Sequence, residues 1–162
     1  MSYTVVGDTS PFLYLYRIGH INLLPALFET VHIPQAVHDE LCHCGVPQEL
    51  RDWAFTEPLW LRIHDNPAGH DPISLKLDAG ESAAISLAES LHASLILIDE
   101  RKGSRICQQK GFEVTGTLGI LAIAARRGLV DLAKAFEHIK QTNFRYNSRL
   151  LQQILDRQAR GE

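Results

Sequence analysis

Short apolar runs alternate along this chain with longer segments in which apolar residues recur at helical spacing. Each run is bounded by glycine, proline or polar residues, a pattern that predicts short strands. Because the predicted strands alternate with predicted helices, the pattern favours an α/β fold with a parallel sheet covered by helices on both faces. The predicted strands are residues 4–6, 31–33, 60–63, 95–98 and 112–114.

Helical periodicity fills most of the sequence between these runs. Gly19 is expected to divide the first helical stretch, which follows Pro11, and Pro34 suits the first turn of a helix that ends near Gly45. The polar segment 64–79 predicts a long loop, a feature that is uncommon in a compact domain unless it is functional or disordered. Further helices are predicted at residues 80–93, from about residue 103, at 116–127, and near 131–140 and 147–158.

Length and composition indicate one ordinary domain. The 162 residues, of which 45% are hydrophobic, suit a single domain over residues 1–162, with a core at about 4–130 and C-terminal helices at about 131–158. A net charge of -3 argues against a broad basic surface that coats nucleic acid.

Nothing in the sequence predicts export or membrane attachment. No run approaches the roughly 18 apolar residues that span a bilayer. The start, MSYTVVGDTS, lacks the basic and apolar segments of an export signal. Three cysteines, an odd number, do not suggest a disulfide framework. We therefore expect a cytoplasmic protein.

Four carboxylates occupy positions that a purely structural protein rarely gives them. Asp8 and Asp99 each end a predicted buried strand, and the carboxyl ends of parallel strands line the ligand crevice of an open sheet. Glu40 and Glu81 each continue the apolar stripe of a predicted helix and so point inward, whereas Asp39 lies on a different face. Four inward carboxylates resist joint ionisation. Mg²⁺ or Mn²⁺, which favour oxygen ligands, would resolve that conflict.

Each acid also has a structural interpretation. Asp8 and Asp99 could be turn residues that follow strands. Asp78 and Glu81 have the spacing of a capping box, so Glu81 could serve only to cap its helix. Glu40 could be a surface acid on a helix with a different rotation.

The chain resembles the PIN-domain nucleases, and particularly a subfamily related to VapC-type toxins. The matching stretches, in order, are VVGDTSP, LFETVHIPQAVHDEL, LDAGESAAISLA, LILIDERKGSRIC and GFEVTGTLGILAIAARRGLV, and FRYNSRLLQQIL resembles the terminal helix of the subfamily. The resemblance implies a PIN-like three-layer sandwich with a parallel sheet of order 3-2-1-4-5, flanked by helices. It also implies Mg²⁺- or Mn²⁺-dependent hydrolysis of phosphodiester bonds, usually in RNA.

The resemblance assigns the catalytic and metal-binding roles to four acids: Asp8, Glu40, Glu81 and Asp99. Many members carry one further Asp, Ser or Thr near the next strand-to-helix loop. The candidates for that position here are Glu100 and Thr117, and this departure leaves the occupancy of a second metal site open. A homodimer and a small antitoxin partner are also implied.

Several polar residues near these acids are candidates for contact with substrate or with bound water. Thr9 and Ser10 could hold a phosphate oxygen or a metal-bound water, or could cap the following helix. Thr117 has the same two interpretations. The cations at the start of the next helix could bind phosphate or form an ordinary solvated helix start. These cations are Arg101, Lys102 and Arg105.

Other signals are weaker. His38, Cys42, His43 and Cys44 do not have the usual ligand spacing of a zinc site, and no second pair of ligands follows. Cys107 is predicted to pack in the core.

Three functions compete on this sequence. The first is a ribonuclease, in particular the toxin of a toxin–antitoxin pair, and the second is a catalytically weak PIN-like module that binds RNA or a protein partner. A phosphatase or phospho-receiver is the third, but those proteins need a partner acid one or two residues from a nucleophilic Asp. Asp8 is followed instead by Thr9-Ser10-Pro11.

Overall fold

A five-stranded parallel sheet forms the centre of the protein. The computed structural model describes residues 3–43, 45–68 and 77–162. The strand order is β3-β2-β1-β4-β5, the order that the resemblance implied, and every neighbouring pair of strands is parallel. The strands are β1 (Val5–Gly7), β2 (Val31–Pro34), β3 (Leu61–His64), β4 (Leu95–Leu97) and β5 (Glu113–Thr115).

Helices flank this sheet and complete a three-layer α/β sandwich. In the described part of the chain they are α1 (Thr9–Arg17), α2 (Leu23–Phe28), α3 (Gln35–Leu41), α4 (Gln48–Phe55), α5 (Ala79–Leu91), α6 (Arg101–Gln109), α7 (Thr117–Arg126), α8 (Leu132–Lys140) and α9 (Ser148–Ala159). One buried apolar cluster extends from β1 to Leu151 of α9.

The position of strands β1 and β4 in the middle of the sheet explains why their sequences are continuous apolar runs. Every residue of β1 and β4 is buried, because helices cover both faces of the sheet at its centre. The register pairs Val5 with Leu95 and Gly7 with Leu97, so the two strands end at the same level. Residues that follow these strands therefore emerge at one edge of the sheet.

The structure corrects several predicted boundaries. Helix α1 begins at Thr9, before Pro11, and Pro34 is the last residue of β2 rather than the first residue of a helix. Helix α3 ends at Leu41, short of Gly45, and α4 is a separate helix that the sequence did not predict. Residues 69–76, half of the predicted loop 64–79, lie outside the described residues.

Among the described residues, every helix is too short or too polar to cross a lipid bilayer.

Candidate active site

Asp8 and Asp99 lie at the carboxyl edge of the sheet, where adjacent strands β1 and β4 end. Asp8 directly follows β1, and its backbone N–H donates to the carbonyl oxygen of Leu97 at 2.9 Å. Asp99 follows β4 after one intervening residue and precedes α6. The topology therefore brings the two acids to the same edge, as their positions after strands predicted.

Asp8 is a buried carboxylate with an unsatisfied oxygen. Its side chain is only 5% exposed, and its Oδ1 has no hydrogen-bond partner. Asp8 occupies the N-cap position of α1, but its side chain makes no capping hydrogen bond. One reason is that Pro11 stands three residues later and has no N–H to donate. The structure therefore does not support a purely structural capping role for Asp8.

The electrostatic environment of Asp8 disfavours its charged form. Burial raises the pKa of Asp8 well above its ordinary value. The backbone N–H of Thr9 opposes this rise, whereas the charges of Glu81, Glu40 and Asp78 add to it. The structure thus places Glu40 and Glu81 within electrostatic reach of Asp8.

Glu40 projects from α3 toward the start of α5. Its Oε2 accepts a short hydrogen bond from the Thr9 hydroxyl, and its Oε1 accepts from the Gly80 N–H at 3.1 Å. Burial raises the pKa of Glu40, and the charge of Asp78 adds to that rise. The two hydrogen bonds, from Thr9 and Gly80, lower the pKa and so oppose it. Glu40 is partly buried, so it is not the surface acid of the alternative interpretation.

Glu81 lies in the first turn of α5, beside the N-cap residue Asp78. Asp78 Oδ1 accepts from the Glu81 N–H at 2.8 Å, so the predicted capping interaction exists. It is Asp78, however, that provides the cap. The pKa of Glu81 is raised to about 7, first by burial and then by the charges of Asp78 and Glu100. Asp78 is thus a further acid of this site, which the sequence identified only as a helix cap.

Asp99 is enclosed by three hydrogen-bond donors. Its Oδ1 accepts from the Thr117 N–H at 2.6 Å. Its Oδ2 accepts from the Thr117 hydroxyl and from the Ser10 hydroxyl, each at 2.7 Å. Burial raises the pKa of Asp99, and these hydrogen bonds oppose the rise. A surface turn residue would not be held in this way.

Three neighbouring hydroxyl groups donate to the acids rather than to helix ends, whereas Glu100 caps a helix. Thr9 and Ser10 lie inside α1, and Thr117 is the first residue of α7, so the prediction that any of them is an N-cap is wrong. Their hydroxyls donate to Glu40 or Asp99 instead. Glu100 is the N-cap of α6 and accepts from the Gly103 N–H at 2.6 Å.

Two glycines provide the space that two of the acids occupy. A Cβ atom at Gly80 would overlap the Glu40 carboxylate, and one at Gly116 would overlap Oδ1 of Asp99. The sequence showed Gly80 and Gly116 only as residues at helix starts. Their role depends on acids that are distant in sequence and was therefore not predictable from local pattern.

The predicted basic residues and the rejected zinc residues lie outside this hydrogen-bonded network. Arg101, Lys102 and Arg105 are exposed on α6. His38 is buried, with Nε2 at 3.0 Å from the Ala54 carbonyl oxygen. Cys42 Sγ lies 3.8 Å from the same nitrogen. Cys44 is outside the described residues, and Cys107 is buried in the core as predicted.

The donor set of this edge fits a hard divalent cation. The acids offer oxygen donors, and a cation would satisfy the buried Oδ1 of Asp8. Burial raises the pKa values of Asp8 and Glu81, neighbouring acids add to that rise, and a bound positive charge would offset both effects. Within residues 3–43, 45–68 and 77–162, however, no three Asp, Glu, His or Cys side chains form a ready metal-binding group. The donors are present, but their carboxylates are not gathered around one point.

Comparison with known proteins agrees with the strand order on the family of this chain. No curated protein matches the chain. The family model DUF3368, described as a PIN domain, matches residues 4–160. Because this match covers nearly the whole sequence and the strand order agrees with it, the chain belongs to the PIN-domain family, whose fold is of the nuclease type.

Proposed function

We propose that this PIN-domain protein is a Mg²⁺- or Mn²⁺-dependent ribonuclease whose central residues are Asp8, Glu40, Glu81 and Asp99. The observation that carries the proposal is the buried, unpartnered Oδ1 of Asp8 among neighbouring acids that raise its pKa. A buried carboxylate in that state destabilises the fold unless a cation or a proton compensates it. Family membership supports the nuclease activity, and the choice of RNA and of these metals is part of the proposal.

The proposed role of each acid depends on how many hydrogen bonds its carboxylate already accepts from the protein. Asp8 has a free oxygen and is the principal candidate to bind the ion, and the charge of Glu81 acts on it. Glu40 and Asp99 are oriented by protein donors and would offer their remaining lone pairs. When bound, a divalent cation would acidify a water molecule and offset negative charge on the phosphate.

The exposed cations of α6 are suited to hold the RNA backbone. This helix starts two residues after Asp99, and Arg101, Lys102 and Arg105 lie on its solvent side. Arginine and lysine side chains bind phosphate oxygens and position a nucleic acid without reading its sequence. We therefore propose that these three residues bind backbone phosphates near the acids.

The test is cleavage of an end-labelled single-stranded RNA by the full chain. We expect cleavage in Mn²⁺ or Mg²⁺ that stops when EDTA is added and returns when the metal is restored. Asp99→Asn should reduce the cleavage rate to background with an unchanged circular dichroism spectrum. Asp39→Asn should keep the wild-type rate, because Asp39 is exposed and accepts a hydrogen bond from Gln35. Cleavage that persists in EDTA, or near-normal rates in Asp99→Asn, would refute the metal mechanism.

One observation favours the second candidate, a PIN-like module that binds RNA with little turnover. Glu100 and Thr117, the two candidates for a fifth metal ligand, are both engaged with protein groups. An enzyme that needs two ions would be weakened by that arrangement. Tight binding of the labelled RNA with no metal-stimulated cleavage would favour this candidate over the ribonuclease.

The resemblance to VapC-type toxins extends the proposal to a biological role. In that role the chain would be a homodimeric toxin, and a small antitoxin protein would block its ribonuclease activity. This extension rests on the resemblance alone. A short reading frame beside the gene, with a product that inhibits the purified chain, would support it.

A further inference from the structure

Asp99 is held from two helices that are far apart in sequence. Ser10 of α1 and Thr117 of α7 donate to the same oxygen, Oδ2, each at 2.7 Å, and we call this pair the Asp99 clamp. Thr117 adds a backbone hydrogen bond to Oδ1 at 2.6 Å. Thr117 is fully buried, so it does not contact solvent as a ligand in an open crevice would.

The clamp restricts how the carboxylate can turn. The N–H and the hydroxyl of Thr117 donate to different oxygens of Asp99, so rotation of the carboxylate would break both bonds. Gly116 allows this close approach, because a Cβ atom there would overlap Oδ1. A side chain with such contacts is fixed before any ligand arrives.

The hydrogen-bond inventory of Asp99 also shows which oxygen is available. A carboxylate has about four acceptor sites, two on each oxygen. The two hydroxyls fill the sites of Oδ2, and one donor occupies Oδ1. Oδ1 therefore keeps one acceptor site, and the clamp determines its direction.

We infer that Ser10 and Thr117 are positioning residues: they orient Asp99 so that Oδ1 can take a divalent cation, and Thr117 is not itself a metal ligand. This inference rests on the proposed function. Hydrogen-bonded partners that orient metal-binding side chains commonly change metal affinity or activity by about 10–100-fold when they are removed. The position where many PIN proteins offer a further ligand would thus serve another purpose in this chain.

The decisive variant is Thr117→Val, which keeps the size of the side chain and the backbone N–H but removes the hydroxyl donor. We expect Mn²⁺ affinity, measured by isothermal titration calorimetry of the full chain, to fall at least about tenfold. Thr117→Ser restores a hydroxyl and should recover most of the affinity. Thr142→Val is the matched control, since its hydroxyl donates to the carbonyl oxygen of Ile139 at the end of α8 and not to one of the four acids.

Ser10→Ala tests the clamp from the other helix and covers the case in which Thr117→Val does not fold. It should weaken Mn²⁺ binding in the same direction, because it removes the second donor to Oδ2. Two results would overturn the inference while the proposed function stands: wild-type affinity in Thr117→Val or Ser10→Ala, or an equal loss in Thr117→Ser and Thr117→Val. A wild-type chain that binds no Mn²⁺ would instead overturn the proposed function, and the positioning role with it.

Discussion

At the scale of single residues, the site combines acids whose carboxylates accept hydrogen bonds from the protein with an acid that has a buried oxygen without a hydrogen-bond partner. Asp99 and Glu40 accept hydrogen bonds from hydroxyl and backbone donors, whereas Oδ1 of Asp8 is buried without a partner. Glu81 lies between these extremes, with its pKa raised to about 7 by burial and by neighbouring acids. Functional sites commonly keep such unfavourable groups at a cost in stability.

The raised pKa of Glu81 predicts how the stability of the metal-free protein depends on pH. The folded chain holds this proton more tightly than the unfolded chain, in which the pKa is near 4.5. The stabilisation from protonation is therefore complete below about pH 4.5 and is lost as pH rises through about 7. In EDTA, we expect the free energy of unfolding of the wild type, relative to Glu81→Gln, to fall between pH 5 and pH 8.

Chemical denaturation of the two proteins at several pH values measures this difference. The comparison with Glu81→Gln matters because His20 and His32, whose pKa values are lowered by burial, act in the opposite direction in both proteins. A difference that stays constant from pH 5 to pH 8 would show that Glu81 titrates as an ordinary exposed acid.

At the scale of secondary-structure elements, four helices begin at the edge of the sheet that carries the acids. The N-cap residues of α1, α5, α6 and α7 are Asp8, Asp78, Glu100 and Gly116. Helix N-termini carry partial positive charge and unpaired N–H groups, so they stabilise nearby carboxylates. The N–H groups of Gly80 and Thr117 donate to Glu40 and Asp99 in this way. The ends of the helices therefore balance part of the negative charge before any cation binds.

Gly80→Ala tests whether the start of α5 must approach Glu40 closely. In an ordinary helix, replacing glycine with alanine stabilises by roughly 1 kcal/mol. Here the added methyl group would overlap the Glu40 carboxylate, so we expect the opposite: a lower melting temperature and weaker Mn²⁺ binding. Differential scanning fluorimetry with and without Mn²⁺ measures both effects.

Gly45→Ala is the control for this substitution, because a Cβ atom at Gly45 would make only an ordinary contact with His43. It should leave the melting temperature and the Mn²⁺ response unchanged. A stabilised Gly80→Ala protein with normal Mn²⁺ binding would show that Glu40 can move away without consequence.

The sequence predicted elements well where their apolar pattern is local. The apolar runs of β1 and β4 predicted the central strands, and the register of these strands explains why the acids after them emerge at the same edge of the sheet. Helix α4 was missed because only Leu50 and Ala54 of its eight residues are buried, which leaves a weak apolar stripe. The partners of Thr9, Ser10 and Thr117 were also missed, since each hydroxyl donates to an acid that is distant in sequence.

At the scale of the whole molecule, the proposed function and the stability of the fold are linked through the charge of the site. In the metal-free chain, Asp8, Glu40, Glu81 and Asp99 are carboxylates whose pKa values are all raised from their ordinary values. Folding must overcome that penalty, and any cation that binds only the folded chain offsets it. The account thus predicts a protein that gains stability from divalent cations.

The most direct test of this account is the melting temperature of the wild type and of Asp8→Asn, each in EDTA and in Mn²⁺. At about a hundred times its dissociation constant, a cation adds roughly 2.7 kcal/mol to the stability of the folded state. For a domain of this size, that raises the melting temperature by about 5–10 °C. Asp8→Asn should melt higher than the wild type in EDTA and show a smaller rise with Mn²⁺, whereas Asp39→Asn should change neither value. An Asp8→Asn protein that is less stable in EDTA and keeps the full Mn²⁺ rise would contradict the assignment of Asp8 to a cation site.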